Sequence, residues 1–183
     1  LKTMVGAWLG RDADVNEREL QGLIDLSAAG LVDIAAVGNE VLYRNDLTEE
    51  ELIRFIGRAK KEITNIPVGY VDAYYEFTER PAVTAACDIV LCNCYPFWEG
   101  CPFDNSLDYM KQMYAQAQAA ANGKEVIITE TGWPSEGAAL RGAEPGMKSA
   151  RDYFINTQLW SANQGIPVFY FSSFDESWKT GAE

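Results

Sequence analysis

Six short apolar runs, each separated from the next by a segment with helical hydrophobic spacing, narrow most sharply what this chain can fold into. The runs are residues 2–8 (KTMVGAW), 32–37 (VDIAAV), 68–71 (VGYV), 88–95 (DIVLCNCY), 125–129 (EVIIT) and 167–172 (PVFYFS). They are too short for helices and too continuously apolar for half-exposed strands, so they read as strands covered on both faces. Between them, Leu20, Leu23, Ile24 and Ala28 mark one face of a helix over 14–29 that Gly30 closes. Thr48 and Glu51 form a capping box that opens a second helix, with Leu52, Phe55, Ile56, Ala59 and Ile63 on its apolar face. A loop carrying Asp72, Tyr74 and Tyr75 and a brief helix near 80–86 precede the fourth strand. An aromatic loop (PFWEGCPFDN) and a helix over 106–121 follow it, and a last helix runs through 159–163.

Strand–helix alternation of this kind implies a parallel sheet with right-handed crossovers, either an open doubly wound sheet or a closed (β/α)8 TIM barrel. The open sheet usually carries a Gly-rich phosphate loop after its first strand, and neither GxGxxG nor a Walker motif is present. In a barrel the chemistry sits at the C-terminal ends of several strands. Here Glu40, Tyr95, Glu130 and the Asp175–Glu176 pair all fall at such ends. An eight-unit barrel averages about 250 residues, so six units need roughly 190, close to the 183 present. The expectation is one barrel domain over 1–183 that supplies strands 3 to 8 and lacks the first two βα units, with no linker or composition shift marking a second domain.

Composition removes several function classes. With no His in the chain, there is no Ser-His-Asp triad, no Cys-His pair and no His-ligated metal, and acid–base work falls to carboxylates, Lys or Tyr. A formal net charge of -12 argues against nucleic-acid and anionic-membrane partners. No stretch approaches the roughly 20 apolar residues of a membrane span, and no signal-peptide pattern opens the chain. Cys87, Cys92, Cys94 and Cys101 lack the paired C-x-x-C knuckles of a thiolate metal site, so no metal and no cofactor are expected. The cysteines read as buried apolar fillers, with a Cys94–Cys101 bridge across the intervening loop as the other arrangement open.

Two carboxylates at the ends of the second and fifth runs, Glu40 and Glu130, would face each other across the mouth of a closed barrel. Facing carboxylates among Tyr and Trp rings are what glycosidic bond cleavage requires: one protonates the leaving oxygen, the other attacks or stabilises the anomeric carbon. Rings in polar loops after strands, Trp98, Trp133 and Phe174 with Phe97, read as sugar platforms.

Four segments in order, AAVGNEVL around Glu40, NCYP around Tyr95, ITETGWPSEG around Glu130 and FSSFDESWK near the end, resemble glycoside hydrolase family 17, the β-1,3-glucanases and their glucanosyltransferase relatives. The resemblance implies a barrel with Glu40 as acid/base after its fourth strand and Glu130 as nucleophile after its seventh. Retention would follow, with carboxyl groups about 5 to 5.5 Å apart. It also implies that Asn39 bonds the sugar 2-hydroxyl, that Tyr95 lines the cleft, and that Glu176 and Lys179 line the same site. The partner implied is a β-1,3-glucan or its oligosaccharides, taken by a monomer once the barrel is complete, in a secreted, periplasmic or cell-envelope setting. Hydrolysis and transglycosylation use the same residues and stay open. A non-catalytic glucan-binding fragment using Tyr95, Trp98 and Trp133 is the reading from a different class.

Overall fold

The structure is a computed structural model that describes residues 2–172 and 174. Six parallel strands lie side by side in chain order: β1 (Met4–Ala7), β2 (Ile34–Asn39), β3 (Val68–Ala73), β4 (Ile89–Asn93), β5 (Val126–Thr131) and β6 (Val168–Tyr170). The crossovers carry α1 (Ala13–Ala28), α2 (Glu49–Glu62), the short pair α3 (Glu76–Glu79) and α4 (Pro81–Ala86), α5 (Ser106–Ala120) and α6 (Met147–Gln164). A doubly wound sheet reverses its strand order once and so puts helices on both faces. An order that never reverses, with right-handed crossovers, puts every helix on one face and leaves the other as a concave interior. The architecture is therefore an arc of a (β/α) barrel, six strands of the usual eight.

The alternation of side chains along each strand builds two apolar layers. Val37, Val68, Tyr70, Val90, Cys92 and Ile128 face outward and pack against Leu20, Leu23, Leu52, Ile56, Met110 and Met113 of the helices. Ala36, Val71, Ile89, Leu91 and Ile127 face inward and fill the barrel side. With both faces covered, the strands need apolar residues at every position, hence the unbroken runs in the sequence. β1 and β6 end the sheet, and Leu26, Leu31, Phe154, Ile155, Leu159 and Phe169 are exposed on the flanking elements. In a closed barrel no strand is left at an edge.

Local signals act as the sequence suggests. Gly30, at φ +71, closes α1 in a Schellman turn, its N–H on Ser27 O and that of Leu31 on Leu26 O. Thr48 and Glu51 make the reciprocal capping box of α2. Differences arise where hydropathy is a poor guide. β3 extends through Asp72 and Ala73, expected in a loop, because the Asp72 carboxylate is satisfied inside the fold. α6 begins at Met147, well before the segment that marked it in the sequence, since only Tyr153 and Thr157 along it are fully buried and its periodicity is weak.

The Cys94–Cys101 bridge does not form. All four cysteines are free thiols; the Cys94 side chain lies under the helices with its Sγ 3.8 Å from that of Cys92, while Cys101 sits partly exposed in the loop. Burial pushes the Cys94 thiol well above its ordinary range, with Cys92 adding to it.

Candidate active site

Three strand ends, those of β2, β4 and β5, converge on one place. After β2 the chain turns sharply. Gly38 has φ +83 and Glu40 itself φ +53, a left-handed conformation that a residue with a side chain adopts at a cost of about 1–3 kcal/mol. The turn is closed by Glu40 N–H on Val71 O at 2.8 Å and by Arg44 N–H on Glu40 O at 2.9 Å. Arg44 also donates to Asn39 O at 2.6 Å. The guanidinium lies 4.9 Å from the ring centroid of Trp8 at the end of β1.

Each carboxylate has a dedicated partner. Asn93, the last residue of β4, donates from Nδ2 to Glu40 Oε1 at 2.8 Å. Its Oδ1 accepts from Thr129 Oγ1 at 2.9 Å, which fixes which way the amide faces, and its Nδ2 lies 3.5 Å from Asn39 Oδ1. In the parallel register Asn93 stands opposite Glu130 of β5. Tyr95, two residues past Asn93, donates its hydroxyl to Glu130 Oε2 at 2.8 Å. The Tyr95 hydroxyl is pushed up in pKa, first by burial and then by the charges of Glu130 and Glu40, so it remains a donor at any working pH. A cavity of about 230 Å³ opens on the concave side, lined by Trp8, Gly38, Asn39, Val71, Thr129 and Glu130 among others.

The rings divide. Trp98 is 49% exposed and rests edge-on against Phe97 at 5.3 Å, leaving a face for a ligand. Trp133 and Phe97, expected as sugar platforms, are core residues instead. Trp133 is 6% exposed, packed edge-on with Phe97 at 5.2 Å and Phe103 at 5.6 Å and tilted against Tyr153 at 5.6 Å, with its Nε1–H on Glu144 O at 2.9 Å. It holds the loop after β5 in place rather than offering a face. Phe174 is 84% exposed. Glu176 and Lys179 lie outside the described residues.

The sequence alone does not single out Asn93 or Thr129. Asn93 was within view, inside the NCYP segment between two cysteines, but it reads as the interior of an apolar strand. Trp8 was equally hidden as the last letter of the first run. Past Trp98, the hydroxyls of Tyr74 and Tyr109 both donate to Glu99 Oε2, so an acid is held in place at the mouth of the aromatic loop as well.

Known proteins resemble this chain along nearly its whole length. The chain is 28% identical to the glucan 1,3-beta-glucosidase of Candida albicans over 96% of its own length and 64% of the relative's. It is 27% identical to the glucan endo-1,3-beta-glucosidase btgC of Emericella nidulans over 98% of its length and 31% of that protein's. Among solved structures, the glycoside hydrolase family 17 beta-1,3-glucanosyltransferase from Rhizomucor miehei superposes with a TM-score of 0.91 at 32% identity, covering 99% of this chain and 69% of that one. An active-site mutant of that enzyme has been solved in complex with laminaritriose. The chain thus spans somewhat under two thirds of the length of the Candida relative. No helix among the described residues is long and apolar enough to cross a membrane. The BtgE/BtgC glycoside hydrolase domain matches residues 1–183, and the chain belongs to that family.

Proposed function

We propose that this chain carries the catalytic centre of a retaining enzyme acting on β-1,3-glucan, with Glu130 as nucleophile and Glu40 as acid/base. The observation that carries the reading is the pairing at the strand ends: two carboxylates, each held by its own neutral donor, Asn93 on Glu40 and Tyr95 on Glu130. A Glu130 oxygen attacks the anomeric carbon as the glycosidic C–O bond breaks, and the leaving oxygen takes the proton of Glu40. The resulting glycosyl ester neutralises Glu130. Glu40, now a carboxylate, removes a proton from the incoming oxygen nucleophile, which attacks the same carbon and frees Glu130. Two inversions give net retention.

Tyr95 orients the attacking carboxylate, and Asn93 fixes the Glu40 oxygen that it bonds. In this reading Asn39 meets the sugar 2-hydroxyl and Trp98 stacks on a neighbouring sugar, and the resemblance to the family adds Glu176 and Lys179, which lie outside the described residues, as further sugar-binding side chains. The incoming oxygen belongs to water in a hydrolase and to a sugar hydroxyl in a transferase. The likeness to the Rhizomucor glucanosyltransferase supports transfer as strongly as the glucosidase relatives support hydrolysis. A neutral glucan is indifferent to the chain's negative charge, and the protein would work as a monomer, secreted or in the cell envelope, where such glucans lie.

Products from laminari-oligosaccharides of defined length test the reading. Shorter products alone mean hydrolysis, products longer than the substrate mean transfer, and a β-anomer seen first by proton NMR means retention. Laminaritriose bound without turnover would leave only a glucan-binding role.

A further inference from the structure

A carboxylate sits where the fold has no use for a charge. Asp72 is 0% exposed, on the helix-facing side of β3 in line with Val68 and Tyr70, a position that packing alone would fill with an apolar side chain. Its partners show what occupies it. The Tyr70 hydroxyl donates to Asp72 Oδ2, Ala73 N–H to Oδ1 at 2.8 Å, and Tyr43 N–H reaches Oδ2 at 3.4 Å. The same Tyr70 hydroxyl accepts from Leu42 N–H at 3.0 Å. Leu42 and Tyr43 are the second and third residues after Glu40. The Tyr70 ring also lies under the chain before it: a Cβ on Gly38 would meet Tyr70 Cε2 at 3.5 Å, and Gly38 holds φ +83.

The backbone therefore touches one buried tyrosine–carboxylate pair on both sides of Glu40, two residues upstream through the ring and two and three residues downstream through amides. Asn93 meets this turn through side chains alone, at the Glu40 carboxylate and at Asn39 Oδ1. A left-handed residue such as Glu40 keeps its conformation only where its surroundings over-determine it. From this geometry we infer that Tyr70 and Asp72 are positioning residues for the acid/base, a brace that holds the Glu40 turn in the conformation that points its carboxyl at the leaving oxygen. The inference rests on the proposed role of Glu40 and adds to it residues that never touch the sugar.

Leaving-group dependence in the full-length protein separates positioning from mere stability. Tyr70→Phe removes only the hydroxyl; Asp72→Asn keeps the volume. If the brace positions the acid, kcat/KM on laminari-oligosaccharides, whose leaving oxygen needs a proton, falls by about 10- to 100-fold, part of the roughly 10²–10⁴-fold that general acid catalysis supplies in full. On a 2,4-dinitrophenyl β-laminarioside, whose leaving group departs unprotonated, it stays within about twofold of the parent, and Glu40→Ala shows the same split more strongly. An equal fall on both substrates, in proportion to lost folded protein, would overturn the inference.

Hydrogen exchange supplies the reading that does not depend on turnover. The Leu42 and Tyr43 amides should exchange faster in Tyr70→Phe while those of Cys92 and Asn93 keep their protection. Unchanged exchange at Leu42 and Tyr43 sinks the brace. A parent protein inactive on both substrates, with exchange altered as expected, instead sinks the enzymatic reading and keeps the brace.

Discussion

Removing the Glu130 carboxylate puts the assignment of roles to its hardest test. Glu130→Ala takes away the attacking oxygen and leaves the Tyr95 hydroxyl, 2.8 Å from Oε2 in the parent, without that acceptor. An unpartnered buried hydroxyl costs about 1–3 kcal/mol, but a half-buried carboxylate has also been removed, so the fold should persist with a small net change in stability. The kinetic loss is far larger. Deleting a covalent nucleophile typically costs at least about 10⁴-fold, or roughly 5.5 kcal/mol of transition-state stabilisation at 1.36 kcal/mol per decade. The space vacated lies beside a donor and opens on the cavity, which suits a small linear anion. Azide should therefore restore turnover of an aryl β-laminarioside in proportion to its concentration. It attacks from the face that Glu130 occupied, with a single inversion, and the product is the α-glycosyl azide. A β-configured azide would assign Glu130 as the acid/base and Glu40 as the nucleophile. A loss below about 10²-fold, less than general acid–base help alone supplies, would refute a catalytic role for Glu130 altogether.

The partner of the other carboxylate gives a smaller effect: Asn93→Ala removes a hydrogen bond to an ionisable group worth about 1.5–3 kcal/mol, so kcat/KM on laminari-oligosaccharides should fall by about 10- to 150-fold. Burial, set against the Tyr70 and Ala73 hydrogen bonds and reinforced by the charges of Glu76 and Glu40, pushes the Asp72 carboxyl from 3.8 up to about 7. Between those two values the folded state holds a proton that the unfolded state has lost, so this group makes stability decline as pH rises through the window, by a few kcal/mol at most; thermal midpoints from pH 4.5 to 7.5 should fall less steeply in Asp72→Asn. Two glycines should respond with opposite signs in urea denaturation. A Cβ on Gly69 would stand 2.7 Å from the Ile89 carbonyl oxygen, so Gly69→Ala should destabilise by about 1–3 kcal/mol. Gly22, exposed in α1 with nothing within 4 Å of its Cβ position, should gain about 0.5–1 kcal/mol as Ala.

The barrel class and the strand-end positions of both carboxylates are legible because they depend on local contrast. An apolar run that stops at a Glu is visible in a dozen letters, and the alternation of such runs with helical spacing leaves few topologies. Trp133 reads as a platform in the sequence because its surroundings are not local: Phe97, Phe103 and Tyr153 close around it from two other segments, and polar neighbours in sequence say nothing about rings that arrive from elsewhere. Asp72 reads as a loop residue for the converse reason, since its partners on β3 and in the Glu40 turn make an acid acceptable inside a strand. Asn93 shows what kind of information was missing. It stands opposite Glu130 on β5 and bonds Glu40 beyond β2, so its role is set by the register of β4 against its neighbours. Side chains alternate faces along a strand, and a slip of one residue would carry Asn93 to the helix side and turn Cys92 or Cys94 toward the carboxylates. On the β3 side that register pairs Gly69 with Ile89, at a contact with no room for a Cβ. A glycine outside the site therefore helps decide which β4 side chain meets Glu40, and the geometry of the pair is encoded partly in the packing beneath it.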